Sequence, residues 1–227
     1  MLVGLFVGIA GVGLIGAGLR FAWSAWPEDV RELWANLSTT LLMHGVVFAL
    51  AAWLVWANRL TWAAAFGIQQ RGSLRAVLWG VGSLGVTYPG ALALQWLSLT
   101  AFGWFQATPA PQLAVRMLSE AGGWWPRLCM GIQTIGTAPL AEELLFRGIL
   151  YVSIKQAGYP RLAWWGVALL FGLSHGHLPT LLPLSFFGLA LAWLYERTGS
   201  LLAPLVAHAG FNAVNFIRVV LEGTPLG

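Results

Sequence analysis

Charge is what this chain has least of. Asp, Glu, Lys and Arg make up 9% of its 227 residues, against roughly 25% in soluble domains. So few charges cannot clothe a water-facing surface. Cysteine is scarcer still: Cys129 stands alone, which excludes an internal disulfide and a cysteine-based zinc site. Its thiol reads as a small buried apolar group. Lysine occurs only at position 155, every other basic residue being arginine. A formal net charge of +4 invites a nucleic-acid partner, but the basic residues are scattered singly and never form a stripe, which argues for no nucleic acid. Internal repeats, low-complexity tracts and linkers are also missing. The opening Met1-Leu2-Val3-Gly4 lacks the positive region of a secretory leader, so a retained first span is expected.

What fills the chain is apolar. Hydrophobic residues reach 58% and tryptophan 14 residues, with a mean hydropathy of +0.74. The expectation is an all-α polytopic membrane protein, a single transmembrane domain over residues 1–227 with about seven spans and interfacial tryptophan belts. The spans are expected near Leu2–Trp23, Leu41–Ala57, Ala76–Phe105 (kinked at Pro89), Leu128–Gln156 (with Pro139 in its middle), Leu162–Ser174, Leu182–Tyr195 and Ser200–Val220. A polar bridge with Glu28, Asp29, Arg31 and Glu32 should join the first two. Trp62 to Ile68 should lie in the interface, next to a basic loop of Arg59, Gln69, Gln70, Arg71 and Arg75. A polar connector, Thr108 to Pro126, should hold a short amphipathic helix around Leu113, Met117 and Leu118.

With the N-terminus inside, Arg59, Arg71, Arg75, Lys155, Arg161 and Arg197 fall on the cytoplasmic side. Three of these share one short loop, which favours a cytoplasmic N-terminus. Arginine in place of lysine, with abundant Ala, Gly and Trp, points to a GC-rich coding sequence and so to a prokaryotic plasma membrane.

Against this background one stretch stands out: Ala138-Pro139-Leu140-Ala141-Glu142-Glu143-Leu144-Leu145-Phe146-Arg147-Gly148. An unpaired charge inside a bilayer costs several kcal/mol, so charges kept there pair, line a wet cavity or do chemistry. Glu143 and Arg147 are four apart on a helix, a favourable ion-pair spacing. Glu142, rotated by about 100°, has no such partner. Phe171 with His175, and His208 with Asn212, repeat the spacing of four on the fifth and seventh helices. At 1.5 Å per residue, Glu142 lies about 20 Å from Lys155, His175 about 21 Å from Arg161 and His208 about 16 Å from Arg197. All three anchors fall on one predicted side, so the three groups share a depth. A polar, water-containing pocket between helices four, five and seven is expected. His44 reads instead as an imidazole bonding across a helix pair, and His177 as a solvated loop residue.

Glu-Glu-x-x-x-Arg at 142–147, Phe-x-x-x-His at 171–175 and His-x-x-x-Asn at 208–212, in that order, resemble the three motifs of the CAAX-protease and bacteriocin-processing (Abi) membrane proteins, which include the Ras-converting CAAX endopeptidases. The flanks Phe-Gly-Leu-Ser-His and Ala-Pro-Leu-Val-Ala-His-Ala-Gly-Phe-Asn-Ala add to it. The resemblance covers about 124–216. It implies an intramembrane endopeptidase in which the first glutamate of the pair, Glu142, is catalytic and no metal takes part.

Peptide hydrolysis needs a base for water, charge stabilisation for the oxyanion and a proton for the leaving amine. On this reading Glu142 and His175 activate water and Glu142 returns the proton. His208 and Asn212 stabilise the oxyanion, Arg147 holds Glu143, and Phe171 is a packing wall. One carboxylate and two imidazoles also resemble an open zinc site, although zincin spacing is absent, so the expected cofactor is none and zinc is the alternative. The expected partners are a membrane protein or a lipidated or leader peptide as substrate, and the lipid bilayer. Two other classes use the same residues: a non-enzymatic membrane partner of the bacteriocin-immunity kind, and a small transporter, for which no inverted repeat is present.

Overall fold

The computed structural model describes residues 2–68, 72–106 and 109–222, with side chains from residue 8 onward except that of residue 9. Gln69, Gln70 and Arg71 of the expected basic loop, and Thr108 at the start of the expected connector, lie outside the described residues.

Among the described residues every regular element is helical. Helix α1 is Leu2–Ala22, α2 is Glu28–Ala57, α3 is Trp62–Phe66, α4 is Ser73–Trp104 and α5 is Leu113–Glu120. Residues 124–156 form one continuous helix, α6. Within it Ile132–Thr137 and Leu144–Tyr151 are π-helical and the rest is α-helical. Then come α7, Pro160–Ser174, α8, Leu178–Thr198, and α9, Leu202–Glu222. Seven of these are long. Helices α2, α4, α8 and α9 are each long and apolar enough to cross a bilayer unaided. The molecule is an all-α polytopic membrane protein.

The long helices match the seven expected spans in order, with three informative differences. The bridge at 28–32 is the first turn of α2, not a loop. Pro27 stands at the N-cap, and Glu28 and Asp29 occupy the first turn, where carboxylates complement the helix dipole. Glu32 is also ion-paired to Arg20 of α1. Helix α8 extends beyond the expected 182–195 at both ends, from Pro179 in its first turn to the left-handed Gly199 that closes it. His177 is half-buried and bonded at both ring nitrogens: Nε2 lies 2.9 Å from the Ala110 carbonyl oxygen, and Nδ1 lies 3.2 Å from the Thr180 hydroxyl. That contact pins the connector to the α7–α8 turn.

The main core lies among α6, α7, α8 and α9, built from Phe146, Phe171, Phe187, Leu191 and Phe211, with Ala76 and Ala91 of α4 closing it. Helices α7 and α8 meet closely because small residues face each other. A Cβ on Gly172 would sit 2.9 Å from the Leu181 carbonyl oxygen, and one on Gly188 would sit 3.1 Å from the Ala168 backbone. A second cluster joins Val47, Ala51 and Val55 of α2 to Ala141, Leu144 and Ile149 of α6. Large apolar side chains outside these clusters, such as Trp56, Trp96 and Leu221, are exposed. A water-soluble domain would bury many of them; a bilayer solvates them.

Candidate active site

Pro139 shapes the helix that carries the site. At the end of the first π-helical stretch the Ala138 N–H donates to the Gln133 carbonyl, five residues back. The next donor in that register is residue 139, and proline has no N–H. The Thr134 carbonyl is thereby left without its helical partner, and Asn212 supplies one: Nδ2 donates to it at 2.8 Å. One bond satisfies a backbone acceptor inside the bundle and ties α9 to α6. On the other flank Gln133 Nε2 donates to the Leu37 carbonyl at 3.2 Å, tying α2 to the same stretch.

One turn further along α6 the chain buries an arginine and a glutamate almost completely. Arg147 Nη1 and Glu143 Oε1 are 2.8 Å apart, with side-chain exposures of 1% and 0%. Arg147 Nη2 donates to the Gly188 carbonyl at 3.0 Å, and its guanidinium lies 4.7 Å from the centre of the Phe171 ring. The same Glu143 oxygen lies 2.8 Å from His208 Nδ1. A carboxylate accepts, so Nδ1 carries a proton, and Nε2 turns toward Glu142, 3.8 Å from its Oε2. That separation is an electrostatic contact and too long for a hydrogen bond.

Glu142 is the carboxylate that stays open. Its side chain is 27% exposed, and with His175 and Asn212 it lines a cavity of about 470 Å³. His175 caps the end of α7. Its Nδ1 donates to the Phe171 carbonyl at 2.8 Å, which leaves Nε2 as the ring's free nitrogen. Phe171 is fully buried, and its ring centre lies 5.0 Å from that of His175 and 5.5 Å from that of His208.

The structure thus brings every expected residue into one neighbourhood, in two tiers. Glu142, His175 and Asn212 line the cavity. Glu143, Arg147, Phe171 and His208 lie behind it in a packed, paired layer. The cavity is wider than a cleft between the fourth, fifth and seventh long helices, because α2, α4 and the connector also contribute walls through Leu37, Thr40, Gln95 and Met117. Two carbonyl partners, those of Thr134 and Gly188, carry no side-chain signal in the sequence. For Thr134 a signal did exist, in Pro139 five residues later. Among the described residues no three His, Cys, Asp or Glu side chains converge at metal-ligand spacing.

A bundle of apolar helices enclosing a buried Glu–Arg–His layer beneath an open carboxylate defines a class: an integral membrane protein with a polar site between its helices. Comparison with known proteins gives the family. The profile of a family described as type II CAAX prenyl endopeptidase Rce1-like matches residues 123–214. Over 176 residues the chain is 31% identical to an "Uncharacterized 24.3 kDa protein" of Escherichia coli, covering 73% of this chain and 74% of that one. It is 31% identical over 74 residues to a protein of Bacillus subtilis named "Putative membrane peptidase YdiL", covering 33% of this chain and 30% of the other. A third similarity, 29% over 96 residues, is to "UPF0177 protein YxdF" of Lactococcus lactis, covering 42% of this chain and 52% of that one. No solved structure matches the chain. The chain belongs to the Rce1-like, CAAX-protease and bacteriocin-processing family of membrane proteases.

Proposed function

We propose that the protein is an intramembrane endopeptidase acting on a membrane protein or on a lipidated or leader peptide, with Glu142 as its base. The observation that carries this reading is the contrast between adjacent carboxylates. Glu143 is sealed in the core with one oxygen shared by Arg147 and His208, whereas Glu142 accepts no hydrogen bond at its buried Oε2 from a described residue and faces a cavity.

In this mechanism a water sits between Glu142 and the free nitrogen of His175. Glu142 takes a proton from it as the oxygen attacks the scissile carbonyl carbon. The carbonyl π pair moves onto oxygen, giving a tetrahedral oxyanion. Asn212 has one Nδ2–H engaged by Thr134 and a second to offer the oxyanion. His208, whose Nδ1–H is given to Glu143, offers Nε2–H to the oxyanion only when it carries both ring protons. Collapse of the intermediate breaks the C–N bond, and Glu142 passes its proton to the departing amine. Water, peptide bond and proton balance with no cofactor; the chemistry proposed is metal-free. General acid–base catalysis of this kind contributes about 10²–10⁴-fold.

The test is cleavage of a quenched peptide panel, including a prenylated peptide, in lipid or detergent. Glu142→Gln and His175→Ala should each lose at least about 10²-fold while remaining folded, and wild-type cleavage should survive a strong zinc chelator. Full activity in Glu142→Gln would sink the mechanism, and loss of activity on chelation would turn Glu142, His175 and His208 into metal ligands. A panel left wholly intact favours the non-enzymatic partner reading.

The proposed setting is a prokaryotic plasma membrane with a cytoplasmic N-terminus. That orientation puts the connector, which lies at the cavity, on the outer face. Reporter fusions at Ala110 and at Ala157 should therefore report opposite sides, and the reverse assignment overturns it.

A further inference from the structure

The family motifs all lie within residues 123–214, yet one buried histidine outside them sits on a helix packed beside the site. His44, on α2, is 6% exposed. Its Nδ1 is fully buried and has no hydrogen-bond partner among the described residues; the same is true of Glu142 Oε2. A buried polar atom left unpaired is costly. Glu143 Oε2, Ser185 Oγ and Arg218 Nε share that state, but an imidazole and a carboxylate on neighbouring helices are complementary in chemistry and need an explanation.

The packing places them together. Helices α2 and α6 run side by side in the same direction. Gln133 of α6 reaches the Leu37 carbonyl of α2, and further along Val47 of α2 packs in one cluster with Ala141 and Leu144 of α6. His44 lies between those two tie points, seven residues after Leu37 and three before Val47. Glu142 lies between the matching points on α6. On α2, Leu37, Thr40, His44 and Val47 follow helical spacing along one face. Leu37 and Thr40 line the cavity and Val47 is core, so His44 stands where cavity gives way to core. No direct hydrogen bond joins His44 Nδ1 to Glu142 Oε2.

We propose that His44 is a positioning residue for Glu142, holding the carboxylate's buried oxygen through a single water so that the other oxygen stays aimed at the substrate water. A ring N–H donates to the bridging water, which donates in turn to Oε2. Such a site is polar on two sides and needs little room. The bland alternative is that His44 only fills volume. An apolar side chain of similar size would fill it better, since it would strand no polar atom.

The kinetic part of this inference rests on the protease reading; the coupling between the two groups does not. Two experiments separate them. In full-length protein labelled with ¹⁵N-histidine, His44 ring signals are assigned by their loss in His44→Leu. They should shift in Glu142→Gln, and unmoved signals overturn the proposal whether or not any peptide is cleaved. On a cleaved peptide, His44→Leu should lower kcat about 10–100-fold, the scale of a small misplacement of a catalytic group, with KM little changed and melting temperature not reduced. His44→Gln, which keeps a donor, should recover part of kcat. Wild-type kcat in His44→Leu, or equal losses in both variants together with a lowered melting temperature, overturns the positioning role. If wild type cleaves nothing, the protease reading fails and the ¹⁵N shifts alone decide the coupling.

Discussion

The two halves of this molecule treat polar groups in opposite ways. Residues 123–214 bury Glu143, Arg147 and His208 and give each a partner at 2.8 Å. Residues 2–106 keep the ion pair Arg20–Glu32 at the edge, with side-chain exposures of 41% and 39%, and bury His44 with Nδ1 unpaired. The second half therefore contains a buried ion-pair device, in which Glu143 Oε1 takes both partners and Oε2 has none among the described residues, and the first half supplies walls. Glu142 is where they meet: its neighbours on α6 and α9 belong to the device, whereas the far side of its cavity is built by α2 and α4. A family profile confined to 123–214 captures the device and misses the walls.

The largest expected effect tests whether the device is a unit. Replacing Arg147 with Met strands a fully buried carboxylate, a change that costs about 3–5 kcal/mol. For a chain of this size that is a fall in melting temperature of roughly 6–20 °C. Arg147→Met with Glu143→Gln removes both charges and should recover most of the loss, because the pair's net contribution is small beside the cost of breaking it. An unchanged melting temperature in the single variant would mean that water reaches Glu143. The comparison between the halves would then fail.

A smaller effect is expected at Asn212. Asn212→Leu removes the donor to the Thr134 carbonyl and leaves a backbone acceptor unpaired, at about 1–3 kcal/mol. If Asn212 also serves the oxyanion, cleavage should fall further than folding does, by about 10²–10³-fold. Asn212→Ser, short but still polar, should recover stability in part and activity hardly at all. Parallel losses of stability and activity in both variants would reduce Asn212 to a clamp between α6 and α9.

What was legible follows from the same contrast. Glu142, Glu143 and Arg147 are conspicuous because a charge in an apolar helix demands a reason, and spacing alone separates the paired carboxylate from the open one. The depth match of Glu142, His175 and His208 is likewise a matter of counting residues from the nearest charged loop. His44 offered no such signal. Its counterpart lies 98 positions away on a helix whose rotation relative to α2 is set by Gln133 and Leu144, and neither side chain announces that. Helix α2 began earlier than hydropathy suggests because Glu28 and Asp29 are polar for a helical reason, being first-turn carboxylates. Hydropathy sees only their cost in lipid. His177 carries a contact that a loop position does not announce: a connector folding back over the cavity supplies a carbonyl at Ala110.

The smallest effect is expected at Arg20. Its Nε lies 3.1 Å from Glu32 Oε2, joining α1 to the first turns of α2. With both side chains about two-fifths exposed, the attraction is weakened by water, opposed by the entropy of ordering two long side chains and screened by salt. Such pairs contribute about 0–1 kcal/mol, so Arg20→Gln should lower the melting temperature by no more than about 4 °C. Raising the ionic strength should erase even that difference while leaving the effect of Arg147→Met in place, since screening acts on exposed pairs and hardly on buried ones. The salt series is therefore the sharper form of the comparison. Two ion pairs of nearly equal length, 2.8 and 3.1 Å, should separate by their response to salt because one is sealed between helices and the other faces solvent. A salt-resistant loss at Arg20 as large as that at Arg147 would show that the α1–α2 junction is as closed as the site. The first half would then have to be counted as part of the device.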